Sequence, residues 1–82
     1  MNYVYILFSK KLNKYYIGFT SISVEERLKK HLSNHSGFTS RSKDWMIVYE
    51  EEYLTKEEAT KREKELKSWK SRSKIIELIN NK

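Results

Sequence analysis

Two runs of aromatic and β-branched residues lie close together at the start of the chain. The first covers residues 3–8 and the second residues 15–19, and the segment between them is largely polar. Two strand-like runs joined by a short polar loop predict a β-hairpin. Because side chains alternate between the faces of a strand, Tyr5 and Leu7 would share one face and Ile6 would take the other. A two-stranded ribbon is not stable alone, so the rest of the chain must cover at least one face.

Composition limits the classes of protein to which this chain can belong. Its 82 residues suit one domain, which we expect to span residues 1–82. It has no cysteine, which excludes a disulfide framework and a cysteine-ligated zinc site. The histidines His31 and His35 would need carboxylates to complete a usual zinc site. No run approaches membrane-spanning length and the N-terminus has a strand pattern instead of a signal peptide, so we expect a cytoplasmic protein without a membrane partner.

The charge of the chain points to a polyanion as one class of partner. The net charge is +6, with basic residues in excess before Glu50 and after Glu58 and glutamates in excess between them. Folding could place the two basic segments on one face and the acidic segment behind it, which suits binding to nucleic acid. A soluble, lysine-rich surface explains the same composition equally well.

A first helix is predicted after the hairpin, over about residues 24–34. Ser23 and Glu26 match a capping box, with a serine cap and a glutamate three residues later. Apolar residues recur at four-residue spacing and form its buried stripe: Val24, Leu28 and Leu32. Arg27 and His31 are also four residues apart and lie on the neighbouring stripe. In an arbitrary helix, a solvated arginine with a packed stem and a half-buried histidine without a chemical role would be the preferred interpretation.

A polar connection and a third strand follow the helix. Residues 33–44 combine hydroxyl groups with the cations Arg41 and Lys43, which can donate to phosphate oxygens, although an ordinary polar loop has the same composition. Residues 45–49 form a nearly continuous apolar run and predict the third strand. Three glutamates come next, at residues 50–52. Because successive strand residues face alternate ways, we expect these glutamates to be solvated and not to bind a metal.

A second helix is predicted over about residues 55–70, with a capping box at its start. At the helical period of about 100° per residue and with Ala59 as zero, Glu63 lies at about +40°, within the apolar stripe, whereas Glu65 lies at about −120°, off the stripe. A carboxylate that faces a core is costly unless it is paired, hydrogen-bonded or bound to a metal. An ion pair, for example with Arg27, is the structural explanation for Glu63, and metal binding is the functional one.

The chain closes with a basic segment and a last short helix that Ser71 or Ser73 can cap. The apolar side of that helix is formed by three isoleucines: Ile75, Ile76 and Ile79. The cations of the basic segment, which include Lys67, Lys70 and Arg72, could reach a backbone phosphate or could keep the helix soluble.

The hairpin resembles the signature of a known family. Tyr3-Val4-Tyr5 in the first strand and Tyr16-Ile17-Gly18 in the second, with the separation between them, are similar to the two halves of the GIY-YIG nuclease signature. The family has glycine where this chain has Tyr3. Arg27 and His31 match an arginine and a histidine of the family's first helix in both spacing and position. The resemblance is to the small, single-domain bacterial type (UPF0213-like), and it extends over nearly the whole chain.

The resemblance implies an α+β fold, in which helices flank a three-stranded, mainly antiparallel sheet in the order β-β-α-β-α-α. It also implies a metal-dependent endonuclease that hydrolyses phosphodiester bonds in DNA, with Mg²⁺ or Mn²⁺ held by Glu63. Arg27 would neutralise the charge that develops on the phosphate. Tyr5 and Tyr16 would orient or deprotonate the attacking water, with help from a cation or from His31, because a free tyrosine is a poor base at neutral pH.

Several points stay open within this interpretation. Family members often use an asparagine late in the fold, but its spacing from Glu63 identifies neither Asn80 nor Asn81. Our hypothesis for the tyrosines is that Tyr5 positions or activates the water and that Tyr16 orders the site or contacts phosphate. The process that the enzyme would serve, whether DNA repair, recombination or mobile DNA, does not follow from the sequence.

The DNA contacts that we predict are six cations: Lys14, Arg41, Lys43, Lys67, Lys70 and Arg72. Since one domain uses the whole chain, we expect low sequence selectivity and a preference for branched or single-stranded DNA. We also expect a monomer. Because many members of the family act fused to other domains or with a partner protein, the resemblance implies a partner protein for full activity. The alternative function is a non-catalytic nucleic-acid-binding module that acts with a partner protein. A small interaction domain, whose basic surface serves only solubility, is the third class.

Overall fold

The structure is an α+β fold with helices on both faces of a three-stranded sheet. It is a computed structural model that describes residues 1–33 and 41–81. The elements follow in the predicted order, with these bounds: β1 Asn2–Ser9, β2 Lys14–Thr20, α1 Val24–Ser33, β3 Met46–Tyr53, α2 Lys56–Ser68 and α3 Arg72–Asn80. All strand pairs are antiparallel, and the sheet order is β2-β1-β3. None of the helices in the described ranges is long and apolar enough to cross a membrane.

The turn between β1 and β2 is held by a carboxylate from the loop before β3. Asp44 accepts a hydrogen bond from the Ser9 hydroxyl at 2.6 Å and another from the backbone N–H of Lys11 at 2.8 Å. The Ser42 hydroxyl donates to the same carboxylate. The hydrogen bonds from Ser42, Ser9 and Lys11 lower the pKa of Asp44 to about 2. The predicted hairpin is therefore confirmed, and its turn is held by Asp44, a residue outside the hairpin.

The tip of the hairpin is bound by the third helix. Asn13 has a φ of 53°, in the left-handed region that asparagine tolerates better than most residues. The guanidinium of Arg72 donates to the backbone oxygen of Asn13 at 2.9 Å and to its side-chain oxygen at 2.5 Å. The start of α3 and the hairpin tip are thus joined.

The third strand is longer than predicted and contains a β-bulge. The sequence predicts a strand over residues 45–49, whereas the structure has Met46–Tyr53. The pairing of β3 with β1 shifts by one residue between Ile47 and Tyr49. Because of this bulge, Ile47 packs on one face of the sheet and Tyr49 on the other, although residues two apart in a regular strand share a face.

The first helix covers one face of the sheet. The Ser23 hydroxyl caps it and accepts a hydrogen bond from the backbone N–H of Glu26 at 3.2 Å. The core on this face consists of four buried side chains: Tyr5, Leu7, Val24 and Trp45. Leu28 and Leu32 pack against this core, which confirms the predicted stripe of α1.

The second and third helices cover the opposite face. Thr55 caps α2 by accepting the N–H of Glu58 at 3.2 Å, and Ser71 caps α3 in the same way. The buried side chains on this face come from the sheet and both helices: Val4, Ile6, Tyr49, Ala59, Leu66 and Ile75. Truncation of a fully buried leucine such as Leu66 typically costs about 2–5 kcal/mol of stability, so α2 is firmly attached to the sheet.

Candidate active site

A buried hydrogen bond joins the first strand to the first helix. Tyr5 is 1% exposed and His31 is 6% exposed. The Tyr5 hydroxyl lies 2.8 Å from Nε2 of His31, and the histidine tautomer decides which of the two atoms donates. His31 is placed there because it follows the stripe of α1 that borders the core. In an ordinary helix a histidine at this position would have no chemical role. In this chain His31 is the hydrogen-bond partner of Tyr5, a candidate site residue.

Gly18 makes room for the Tyr5 ring. The two residues lie directly opposite each other in the pairing of β1 with β2. A Cβ atom at Gly18 would overlap the hydroxyl oxygen and the ring of Tyr5. Any side chain at this position would therefore move the ring and separate its hydroxyl from His31. The requirement for glycine comes from this close approach of Tyr5 across the strand.

Charged side chains from two helices act on the Tyr5 phenol. Burial raises its pKa, a hydrogen bond from Arg27 opposes that rise, and the nearby Tyr16 and Glu63 raise the pKa further. The net shift is upward, so Tyr5 is protonated at neutral pH. Burial, followed by the positive charge of Arg27, lowers the pKa of His31, so its imidazole is neutral. The structure thus brings Arg27 of α1 and Glu63 of α2 to the same phenol.

Tyr16 completes the group from the second strand. Its ring centroid lies 5.1 Å from that of His31 and 6.4 Å from that of Tyr5. Trp45 packs edge-on against the Tyr16 ring, with the centroids 6.4 Å apart. All five residues predicted for catalysis therefore come together, and we call them the tyrosine–histidine cluster: Tyr5, Tyr16, Arg27, His31 and Glu63.

Glu63 is the member of this cluster that could hold a metal ion. Its side chain is 20% exposed and forms an ion pair with Lys67, one turn further along α2, with an N···O distance of 3.1 Å. This ion pair differs from the pairing with Arg27 that the sequence suggested. In residues 1–33 and 41–81, no three histidine, aspartate or glutamate side chains come together as a metal cage. A single carboxylate fits Mg²⁺ or Mn²⁺, which keep most of their waters, and does not fit a structural zinc or calcium site.

Four of the six predicted DNA contacts line one groove beside the cluster. This groove has a volume of about 510 Å³ and lies between β2 and the junction of α2 with α3. Its cationic lining residues are Lys14, Lys67, Lys70 and Arg72. Tyr15 and Tyr16 also line it, together with apolar side chains that include Ile17, Leu66 and Ile75. Tyr16 belongs both to the lining of this groove and to the cluster, so the two are neighbours at β2.

The other two predicted contacts, Arg41 and Lys43, lie apart from this groove. Both are exposed and belong to the segment before β3. The amine of Lys43 donates to the backbone oxygen of Leu32 at 2.6 Å, where a cation satisfies a carbonyl at the end of α1. This contact gives Lys43 a structural role independent of DNA.

The late asparagines also lie away from the cluster. Asn80 is the exposed last residue of α3, and Asn81 lines a separate groove with Trp69 and Leu78. Neither residue interacts with the Tyr5 phenol in the structure. His35, to which the sequence assigns no role, and most of the polar loop predicted over residues 33–44 fall outside the described residues.

The prediction that all three glutamates of β3 are solvated is wrong for Glu51. Its side chain is only 16% exposed. The hydroxyl groups of Tyr49 and Tyr53 donate to its carboxylate, and the guanidinium of Arg62 donates to both of its oxygens, at 3.0 and 3.2 Å. Arg62 also donates to Glu65 at 2.7 Å. We call these five residues the glutamate network.

Within the glutamate network the carboxylate of Glu51 is stabilised by the charge of Arg62 and by two tyrosine hydroxyls. Burial alone would raise the pKa of Glu51, but hydrogen bonds from Arg62 and the two tyrosines bring it below its usual value. Burial, together with the hydrogen bond to Glu51, raises the pKa of both Tyr49 and Tyr53 to about 12. The alternation of Tyr49, Glu51 and Tyr53 in the sequence indicates that the three side chains share one face of β3. It does not identify their partner Arg62, which belongs to α2.

Comparison with known proteins agrees with the geometry. The chain matches the family model of the GIY-YIG catalytic domain over residues 1–76, a range that contains every member of the tyrosine–histidine cluster. It is also similar to the solution NMR structure of a UPF0213 protein from Bacillus halodurans, with 37% sequence identity and a TM-score of 0.62, over 100% of this chain and 86% of that chain. No curated protein matches the chain.

Proposed function

Since the chain belongs to the GIY-YIG family, whose catalytic domain implies a nuclease-type function, we propose that it is an endonuclease that hydrolyses phosphodiester bonds in DNA with Mg²⁺ or Mn²⁺. The observation that supports this most strongly is the buried bond between the Tyr5 hydroxyl and His31 Nε2, at 2.8 Å, with Arg27 and Glu63 acting on the same phenol. Hydrolysis of a phosphodiester needs a positioned water, a place for its proton and a cation for the developing charge. The cluster contains a residue for each need.

Tyr5 and His31 handle the attacking water. Because the pKa of Tyr5 is raised, its phenol stays protonated at neutral pH and acts by hydrogen bonding rather than as a free base. Because the pKa of His31 is lowered, its imidazole is neutral and can accept a proton. Tyr5 therefore positions the water, and the proton passes toward His31 through the bond that joins the two side chains.

Arg27 neutralises the charge that builds on the phosphate during attack. Its planar guanidinium presents several donors in one plane, a geometry that matches phosphate oxygens. It is half-buried beside the Tyr5 hydroxyl, where its charge is less screened than on an open surface. Tyr16, also half-buried, orders the His31 ring through edge-on packing, and its hydroxyl would contact the substrate phosphate.

Glu63 is the residue that would hold the cation. When bound, Mg²⁺ or Mn²⁺ supplies Lewis-acid stabilisation of the phosphate and of the leaving oxygen. Glu63 is suited to this because its carboxylate is 20% exposed and already paired with a cation, the Lys67 amine at 3.1 Å. A metal ion bound at Glu63 would replace the Lys67 amine as its partner, and that amine would then be available to the DNA backbone.

The substrate is DNA, recognised with low sequence selectivity. The net charge of +6 and the four cations of the groove supply backbone contacts, which position a nucleic acid without reading its sequence. We therefore expect a preference for DNA structure, such as branches or single strands, and a partner protein that directs the enzyme.

A labelled panel of DNA substrates tests this function. Duplex, single-stranded, flap and four-way-junction DNA are incubated with Mg²⁺, with Mn²⁺ and with chelator, alongside Glu63→Ala protein. We expect metal-dependent products that disappear in Glu63→Ala and that are not confined to one sequence. A single sharp cut in random duplex DNA would refute the low selectivity.

The two tyrosines have different roles in this proposal, and their conservative variants test the difference. Tyr5→Phe removes the hydroxyl that positions water, so we expect loss of cleavage on the order of 100-fold or more. Tyr16→Phe keeps the ring packed against His31 and should lose much less. Equal and severe losses in both variants would contradict the division of roles.

A non-catalytic DNA-binding module is the second candidate, and the basic groove favours it as much as it favours the enzyme. Such a module would bind the panel in a salt-dependent manner and yield no products with either metal. DNA binding that is absent at low salt would instead support an interaction domain.

A further inference from the structure

Two concave sites flank the tyrosine–histidine cluster along the outer strand of the sheet. The groove is lined at one end of β2 by residues 13–17. A smaller depression, of about 230 Å³, is lined at the other end by residues 19–22 together with Arg27 and Lys30 of α1. Gly18, which lies opposite Tyr5, separates the two. Tyr16 of the cluster also lines the groove and Arg27 of the cluster also lines the depression, so the three sites follow one another in a path along β2.

We propose that an unpaired strand of DNA binds along this path, with a base in the groove, the phosphate to be cut at the cluster, and a flanking phosphate at Arg27 and Lys30. This inference rests on the proposed nuclease function and names its substrate class. It also adds Lys30 as a positioning residue, since Lys30 reaches the depression from the turn of α1 next to Arg27.

The chemistry of the groove suits an unstacked base. Apolar side chains line it, and its volume is in the usual range for sites that enclose a small molecule. The Tyr15 ring packs against Phe8, with centroids 4.7 Å apart, and the Arg72 guanidinium lies 5.3 Å from its centroid. Aromatic rings and guanidinium planes are the groups on which proteins stack the bases of single strands. The bases of a duplex are stacked and paired inside the helix and cannot enter such a groove.

The cations of the groove suit the phosphates of the same strand. Lys14 comes from β2, Lys67 from α2, and Lys70 and Arg72 from the junction of α2 with α3. The positive charge on three elements around an apolar lining complements a strand that presents a base inward and phosphates outward.

The backbone at Lys70 supports this assignment independently. Lys70 follows the end of α2 with a φ of 50°, in the left-handed region where glycine is the usual residue. A lysine there costs stability relative to glycine. Strained residues of this kind are concentrated at binding and catalytic sites, and this one places its side chain on the groove.

The first test compares three probes on the wild-type chain in chelator, so that binding is measured without cleavage. The probes are a labelled oligothymidylate, the same strand with abasic residues and unchanged phosphates, and a duplex of equal length. We expect fluorescence anisotropy to show the oligothymidylate bound about tenfold more tightly than the abasic strand, the usual contribution of a stacked base. Equal affinity for the two strands, or tighter binding of the duplex, would overturn the proposal.

Matched lysine variants locate the strand. The double variant Lys14→Gln/Lys70→Gln removes two cations of the groove, and Lys29→Gln/Lys61→Gln removes the same charge from exposed positions on α1 and α2. The measured quantity is the slope of the logarithm of the binding constant against the logarithm of the salt concentration. We expect the groove variant to reduce the magnitude of this slope by about 0.7 per lysine, the value for single strands, and the control variant to leave it nearly unchanged. Lys30→Gln should also lower it. Equal effects of the groove and control variants would place the strand elsewhere.

The outcomes separate this inference from the proposed function. Metal-dependent cleavage that requires Glu63, with no preference for the thymidylate over the abasic strand, leaves the nuclease in place and refutes the path along β2. Preference for the thymidylate, with no cleavage in either metal, keeps the path and refutes the nuclease. In a third readout, 2-aminopurine in the strand should be quenched on binding, because stacking on an aromatic ring quenches it, and unchanged fluorescence would contradict a base in the groove.

Discussion

Both faces of the sheet bury tyrosines around a polar partner, but the two groups have opposite character. Beneath α2, Glu51 accepts hydrogen bonds from Tyr49, Tyr53 and Arg62, so its charge is balanced inside the network. Beneath α1, the bond between Tyr5 and His31 joins two neutral groups at neutral pH. The charges of this cluster belong to Arg27 and Glu63, at the border with the depression and the groove.

The difference shows that residue type does not separate a structural cluster from a functional one. Each group contains two tyrosines, an arginine and a glutamate. In the glutamate network Glu51 and Arg62 form an ion pair with each other, and this pair joins β3 to α2. In the tyrosine–histidine cluster the arginine and the glutamate act on one phenol from different helices and are not paired with each other; Glu63 is paired instead with the exposed amine of Lys67.

The largest effect that we predict comes from opening the glutamate network. Glu51→Gln removes the charge that balances Arg62, and one amide cannot replace the carboxylate that serves three donors. We expect a loss of about 3 kcal/mol in the free energy of unfolding, the usual cost of breaking a buried ion pair. Urea denaturation measures it, with the exposed Glu52→Gln as the matched control. A loss equal to that of the control would show that the network does not stabilise the fold.

The second effect comes from filling the space that Tyr5 occupies. Gly18→Ala should cost about 2 kcal/mol of stability through overpacking, and it should abolish cleavage because the ring leaves His31. In a Tyr5→Leu background the shorter side chain removes the overlap, so the stability cost of Gly18→Ala should nearly disappear. This double-mutant cycle isolates the contact. Additive losses would contradict the role assigned to Gly18.

The tyrosine–histidine cluster and the glutamate network should lose their contributions to stability at different pH values. The folded pKa of His31 is lowered from 6.5 and that of Glu51 from 4.5, so each stabilises the fold above its unfolded pKa and loses that contribution as the pH falls. On acidification the stability that neutral His31 contributes should begin to fall below about pH 6.5, and the stability that ionised Glu51 contributes only below about pH 4.5.

The urea midpoint measured against pH should therefore fall in two steps, and His31→Gln should remove the upper one. The NMR signal of the His31 ring, assigned with the help of His35→Gln, should titrate with a midpoint below pH 6.5, because the folded pKa of His31 is lowered. A single step below pH 4.5 in the wild-type chain would show that His31 carries no lowered pKa.

The smallest effect has the opposite sign and lies at the rim of the groove. Lys70→Gly relieves the left-handed backbone and should stabilise the chain by about 0.5–1 kcal/mol. The same change removes a groove cation, so DNA binding should weaken. The thermal midpoint and the anisotropy titration measure the two effects. If Lys70→Gly lowered both stability and DNA binding, the left-handed backbone at Lys70 would not be a stability cost that is offset by the lysine's contribution to the groove.

Local spacing made much of the fold predictable. The hairpin follows from two runs with β-propensity, and Ser23, Thr55 and Ser71 each cap a helix where the sequence places a cap. Helical periodicity placed Glu63 beside the core, and the resemblance to a family joined it to Tyr5, Tyr16, Arg27 and His31. These predictions succeed because each depends on neighbours within one element or on a pattern shared with other chains.

The remaining features depend on contacts between elements that no local pattern specifies. Glu51 was predicted to be solvated because its partner Arg62 lies on α2, which no pattern within β3 identifies. The support of the hairpin by Asp44 joins positions far apart in the chain. The left-handed backbone at Lys70 occurs where sequence alone would favour glycine.

The measurement that tests the central claim most directly is cleavage of single-stranded and flap DNA by Glu63→Gln and Glu65→Gln under single-turnover conditions with Mg²⁺ or Mn²⁺. Both glutamates lie on α2, but Glu63 belongs to the tyrosine–histidine cluster and Glu65 to the glutamate network. We predict that Glu63→Gln stays folded and binds DNA but loses cleavage on the order of 100-fold or more, whereas Glu65→Gln cleaves like the wild-type chain. Wild-type cleavage by Glu63→Gln, or equal losses in both variants, would contradict the account.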